Sequence, residues 1–203
     1  MNHSALLLCV LASSATAQEK ATFIIDVVGG PVSPHNPSVT VKIFASFPSQ
    51  YWAFGIGTLD LLSSDPNGYF FNAVHPSGPG SLPSNCTQWV QGTSTAGGGV
   101  TMIGAQQFNV VGCNASTWNP IQIWESSWTT TDFTPRSVEL QSADTPEFMV
   151  FRVYKNHQSS IPDVTLYPDQ FIHGATSFQV VPAPWIPAFA LAFGFTGLAR
   201  RHR

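Results

Sequence analysis

Apolar and polar residues alternate with a period of two along much of this chain, the spacing that puts successive side chains on opposite faces of a strand. Residues 22–28 place Phe23, Ile25 and Val27 on one face and Asp26 on the other. Residues 39–47 alternate more regularly, with Val39, Val41, Ile43, Ala45 and Phe47 inward and Thr40, Lys42 and Ser46 outward. Between them, 29–37 holds two Gly and three Pro and reads as a connection. Further strands are expected at 51–62, 121–128, 137–140, 148–154 and 176–181, with Gly55 and Gly57 marking a bulge or close backbone approach in the first of these. No stretch of the body carries a 3.6-residue apolar stripe over three turns. At least seven short strands separated by turn residues predict an all-β fold, an antiparallel β-sandwich.

The two ends break this pattern. At 1–17 an apolar core runs from Ala5 to Ala12, and Ala15, Thr16 and Ala17 then form a small-residue site. This reads as an export signal helix removed before Gln18, carrying Cys9 with it. At 181–203 a Pro-x-Pro step (Val181, Pro182, Ala183, Pro184) precedes a run at 185–199 with no charged residue or side-chain amide, and Arg200, Arg201, His202 and Arg203 stop it. The two prolines lack the N–H that a sheet ladder needs. An apolar helix with a basic end is a membrane insert whose basic end stays in the cytoplasm, here the inner membrane. Fifteen residues span about 22 Å at roughly 1.5 Å each, against a hydrocarbon core of about 30 Å. Such a run is short for a permanent anchor and suits a transient signal. A GPI signal would end apolar rather than in arginines.

The tail resembles the PEP-CTERM sorting signal of exosortase-processed proteins in Gram-negative bacteria: Val-Pro-Glu-Pro, an apolar helix, then an arginine-rich end. Ala183 stands where that family has its usual Glu. The resemblance implies an exported cell-surface or extracellular-matrix protein, transiently held in the membrane, with an exosortase-like membrane enzyme as partner. Ala183 leaves targeting intact and bears on cleavage. The run from Ser38 to Ser64, a strand followed by an aromatic and glycine-rich strand ending in Asp60 and Leu61, resembles uncharacterised β-sandwich bodies that carry such tails. More distantly it is similar to cohesin-like and carbohydrate-binding sandwiches. The expected body is therefore a jelly-roll or an immunoglobulin- or cohesin-like sandwich at 18–180, between a signal helix at 1–17 and a hydrophobic sorting helix at 181–203.

Charge narrows the partners. Within 18–180 five basic residues (Lys20, Lys42, Arg136, Arg152, Lys155) meet all eleven acids, a net charge of −6, although the whole chain carries −3. This argues against nucleic acid or an anionic membrane as partner of the body. Only 9% of residues are charged, in keeping with an exported β-protein.

Candidate chemistry is sparse. Residues 76–99 are dominated by Pro and Gly and read as the loosest region, unable to sustain a long strand. Cys86 lies there and Cys113 follows 27 residues later; in an exported chain the pair reads as one disulfide, with free thiols or a metal pair as the alternative. His35, His75, His157 and His173 are scattered without a metal-binding spacing, so no metal or cofactor is expected. No nucleophile elbow, phosphate loop or zinc-protease motif is present, and a non-enzymatic role is expected. Paired carboxylates for a secreted hydrolase could be drawn from Glu125, Glu139 and Glu147. Asp65, Pro66, Asn67 and Gly68 fit a β-turn. Trp118, Trp124 and Trp128 fall within eleven residues, the last two on one strand face. Exposed, they would form a platform for the apolar faces of a polysaccharide's sugar rings; buried, they are large core residues.

Overall fold

The computed structural model describes residues 19–145 and 150–183. The signal segment at 1–17, Glu147 and Phe148, and the tail from Pro184 onward, with its apolar run and Arg200, Arg201 and Arg203, lie outside the described residues. Among the described residues no helix is long and apolar enough to cross a membrane.

Among the described residues twelve strands follow in order: β1 (Ala21–Val28), β2 (Ser38–Ser46), β3 (Ala53–Ser63), β4 (Gly68–Val74), β5 (Thr87–Ser94), β6 (Val100–Gln107), β7 (Ile121–Thr130), β8 (Arg136–Ala143), β9 (Phe151–Tyr154), β10 (Val164–Leu166), β11 (Phe171–His173) and β12 (Ala175–Val180). A single 3₁₀ turn, Pro168–Gln170, is the one helical element described. One sheet has the order β11-β1-β2-β7-β4. In the other, β10-β9-β3-β6-β5 is extended by β8, which also pairs with β3, and by β12 on β8. Pairing is antiparallel except for β1 with β11.

The alternation in β2 lies as the sequence predicts: Val39, Val41, Ile43, Ala45 and the following Phe47 are buried against the opposite sheet. Leu59 and Leu61 of β3, Ile103 of β6, Val138 and Leu140 of β8 and Phe151 and Val153 of β9 complete the core from the other side. On the outer face of the first sheet the same register sets Lys42 between Asp26 and Glu125 of the neighbouring strands, with the ammonium 3.7 Å from Glu125. Gly55 is the bulged residue of β3, at a register shift between Phe54 and Ile56.

The expectation for 76–99 is corrected. The loop gives way at Thr87 to the eight-residue β5, held to β6 from Thr87–Gln107 to Ser94–Val100. The glycine of β5, Gly92, takes a positive φ of 81° that a side chain would strain, and the pairing to β6 is skipped there and resumes at Thr93–Thr101.

The turn from β3 to β4 is the one expected, with the Gly68 N–H donating to the Asp65 carbonyl at 3.3 Å. Its glycine has a second reason. A Cβ at Gly68 would lie 2.1 Å from the Trp128 ring, so the turn must be bare for the indole to lie over it. Asp65 itself is buried and receives two bonds from the Arg136 guanidinium, the shorter at 2.6 Å. Arg136 also donates to the Asp132 and Thr134 carbonyls. One residue thereby ties the β3–β4 turn to the β7–β8 connection, the two places where the chain changes sheet at this end.

Candidate functional site

The two cysteines form the expected disulfide, with Cα atoms 5.3 Å apart. It sits where β5 begins, just outside the Thr87–Gln107 pair, and the Phe108 N–H donates to the Cys86 carbonyl at 2.8 Å. Closing a loop of this length constrains the unfolded chain by roughly 3–4 kcal/mol.

The tryptophan platform is corrected. Trp124 and Trp128 do share a face of β7, but it is the inner one, and both are 0% exposed. A register shift between Ile43 and Phe44 explains how. Ile43 pairs with Trp124 and Phe44 with Gln122, so Ile123 is the extra residue of a bulge. The bulge turns Ile121 and Ile123 inward on one side and Trp124 and Trp128 inward on the other, and all four are fully buried. Trp124 packs edge-on to Phe70 at 5.7 Å, and Trp128 to Phe178 at 4.8 Å. Only Trp118 of the three is exposed, at 58%.

Glu125 and Glu139, the two candidate carboxylates among the described residues, are not brought together either. Glu125 belongs to β7 in one sheet, paired with Lys42 and accepting from Gln122 at 2.8 Å; Glu139 belongs to β8 in the other. Glu139 borders a depression of about 500 Å³ over β3, β8 and β12, whose lining holds no other ionisable side chain. Among the described residues no three His, Cys, Asp or Glu side chains gather as a metal site.

One histidine cluster went unread in the sequence. The His173 ring lies 3.2 Å from Ser142 Oγ through Nδ1 and 2.7 Å from Asp144 Oδ1 through Nε2. The order serine–histidine–aspartate suggests a nucleophile, but the serine is buried and its oxygen already accepts from the Gly174 N–H at 2.9 Å. The cluster instead pins the point where the chain passes from β11 in one sheet to β12 in the other. No sequence spacing announces it, because its members lie 29 and 31 residues apart.

A cavity of about 280 Å³ remains along the side of the sandwich where β4 and β5, the edge strands of the two sheets, face each other. Trp124 and Ser126 close its floor, and no ionisable side chain lines it. Four carbonyls of its walls are already engaged by side chains. Trp124 Nε1–H donates to Gln91 O at 3.0 Å, Ser126 Oγ to Phe71 O at 2.8 Å, Ser94 Oγ to Phe70 O at 3.3 Å and Thr101 Oγ1 to Thr93 O at 3.4 Å.

A cohesin module from a family 33 glycoside hydrolase of Clostridium perfringens superposes on this sandwich with a TM-score of 0.52 and 6% identity, covering 79% of this chain and 97% of that module. The body is similar in fold to a cohesin module. The sixth cohesin of Acetivibrio cellulolyticus scaffoldin B, solved in complex with a Cel5 dockerin, gives 0.46 at 11% identity over 77% of this chain and 96% of that one. No protein-family model matches the sequence, and no curated protein matches it.

Proposed function

We propose that this chain is an exported, non-enzymatic protein of the cell envelope or extracellular matrix, delivered by a PEP-CTERM-like tail. The observation that carries the reading is where the sheet stops. Val180 is the last residue of β12, the Val181 N–H makes one final bond to Val32 O at 2.8 Å, and Pro182 then ends the ladder. The Pro-x-Pro step of the resemblance thus begins where the sandwich is complete, as an addressing segment joined to a finished body would. The Cys86–Cys113 bond supports an oxidising compartment outside the cytoplasm. The acidic body, −6 within 18–180, supports a partner other than nucleic acid or anionic lipid.

Fractionation of a tagged full-length protein in its host, with and without 181–203, tests this. Removal of the tail is expected to move the protein from the membrane fraction to the soluble one, and Ala183→Glu to increase a shortened, processed form. Unchanged membrane association and unchanged size without the tail would sink the proposal.

A further inference from the structure

We infer that the cavity between β4 and β5 is a binding groove for a neutral polysaccharide chain. Of the three tryptophans only Trp124 reaches it, as part of its floor rather than as an exposed platform, and the inference does not depend on how the protein is sorted. Three exposed polar side chains border it, Asn72, Gln91 and Thr93, and none of them makes a hydrogen bond within the protein. Two amides and a hydroxyl offer donors and acceptors together, the pairing that sugar hydroxyls require. Phe71 lines the same groove with its ring partly exposed, and Tyr69 stands beside it at 6.2 Å, giving apolar surface on which a sugar's C–H face can rest. Asn72 is held at a φ of +53°, inside the irregular stretch between Phe71 and Val74 where β4 leaves register with β7. A strained backbone of this kind persists only where surrounding structure holds it, and such positions cluster at binding sites.

The remaining features select among ligands. With no ionisable side chain in the lining, nothing there recognises an anionic or cationic chain. An extended peptide would add as a strand through main-chain N–H and carbonyl groups together. The carbonyls of Phe70, Phe71, Gln91 and Thr93 already accept from side chains, whereas the unspent groups are amides and a hydroxyl. The volume, about 280 Å³, lies near the lower end of the roughly 300–1,000 Å³ of ligand pockets and suits one or two sugar units of a longer chain.

Affinity electrophoresis of the full chain tests this, in gels containing hydroxyethyl cellulose, glucomannan or arabinoxylan, with alginate as an anionic control. At least one neutral polymer is expected to retard the protein. Phe71→Ala and Asn72→Gly are each expected to weaken that retardation at least tenfold. Asn72→Gly is the decisive variant, because glycine accepts the positive φ and keeps the fold while removing the amide. Its melting temperature is measured alongside to show that it is folded. The inference is overturned if no neutral polymer retards the chain, if alginate alone does, or if folded Asn72→Gly and Gln91→Ala bind as tightly as the original. Saturation of this seam by an extended apolar peptide, with the saccharides inert, would equally overturn it.

Discussion

The two long sides of the sandwich are closed in different ways. On one side the chain itself does it: β11 pairs with β1, Gly174 crosses, and β12 joins β8 in the other sheet. The fit there is tight, since a Cβ on Gly174 would lie 2.1 Å from Phe23 O, and Phe23, Phe151 and Phe171 pack around the crossing. On the other side β4 and β5 face each other without a ladder, and side-chain bonds from Trp124 to Gln91 O, Trp89 to Ile123 O and Ser94 to Phe70 O span the gap. Main-chain closure still leaves an open depression of about 470 Å³ between Asp26 and Val27 of β1 and residues 176–179 of β12, and it carries the Asp26 carboxylate. Side-chain closure leaves a groove, and it also covers edge carbonyls that would otherwise invite another strand.

This contrast can be broken or sharpened by substitution. The largest effect is expected at the clip that serves both sides. Asp65→Ala leaves the Arg136 guanidinium without its buried carboxylate and should cost about 3–5 kcal/mol in urea unfolding. Next comes Gly174→Ala, which forces the crossing away from Phe23 and should cost about 3 kcal/mol while leaving the β4–β5 groove intact. If it costs no more than a surface change, the crossing is not the rigid side. Trp124→Phe removes the indole N–H from Gln91 O and should cost about 1–2 kcal/mol, read by the same unfolding curve. Asn72→Gly should be neutral or stabilise by a few tenths of a kcal/mol, because it relieves the positive φ.

The smallest effect concerns acid. Main-chain N–H bonds hold two exposed carboxyls below their ordinary range, Glu19 through Ser49 and Asp132 through Thr134. Burial pushes the Asp163 carboxyl up, but bonds from the Lys155 N–H and the Ser159 hydroxyl outweigh it and the net shift is downward. Each folded carboxyl holds its proton less tightly than the unfolded chain does. Its contribution is therefore complete above the ordinary carboxylate range near 4 and is lost as pH falls through the lowered value. A melting temperature that declines gently below about pH 4 is the expected result; a flat profile would remove these bonds from the account.

How far the sequence reached follows the same division. β1 and β2 were legible because each has one buried and one solvated face, so hydrophobicity alternates with the pleat. The β4–β5 side was not. Tyr69, Phe70 and Phe71 run together without alternation, yet only Phe70 is buried. Val90 and Met102 point outward, so apolar residues there do not mark the core. Asn72 and Met102 take left-handed conformations that no local pattern announces. The fate of the tryptophans hung on Ile123, a single inserted residue whose effect exists only once β7 is paired with β2. The disulfide was readable because two body cysteines leave one pairing, whereas Ser142, Asp144 and His173 meet only through the crossing at Gly174.

The last strand also decides how this body bears a pull. Whatever follows Val181 is joined to the sandwich through β12, an edge strand bonded along six pairs to β8 and secured by Val32, which donates to Gln179 O and accepts from the Val181 N–H. Tension drawn along the strand loads those rungs together, in shear. Tension drawn sideways opens them one after another, beginning at Val180 and Arg136. The direction of the tether, more than the number of bonds, sets the force at which the body would come apart.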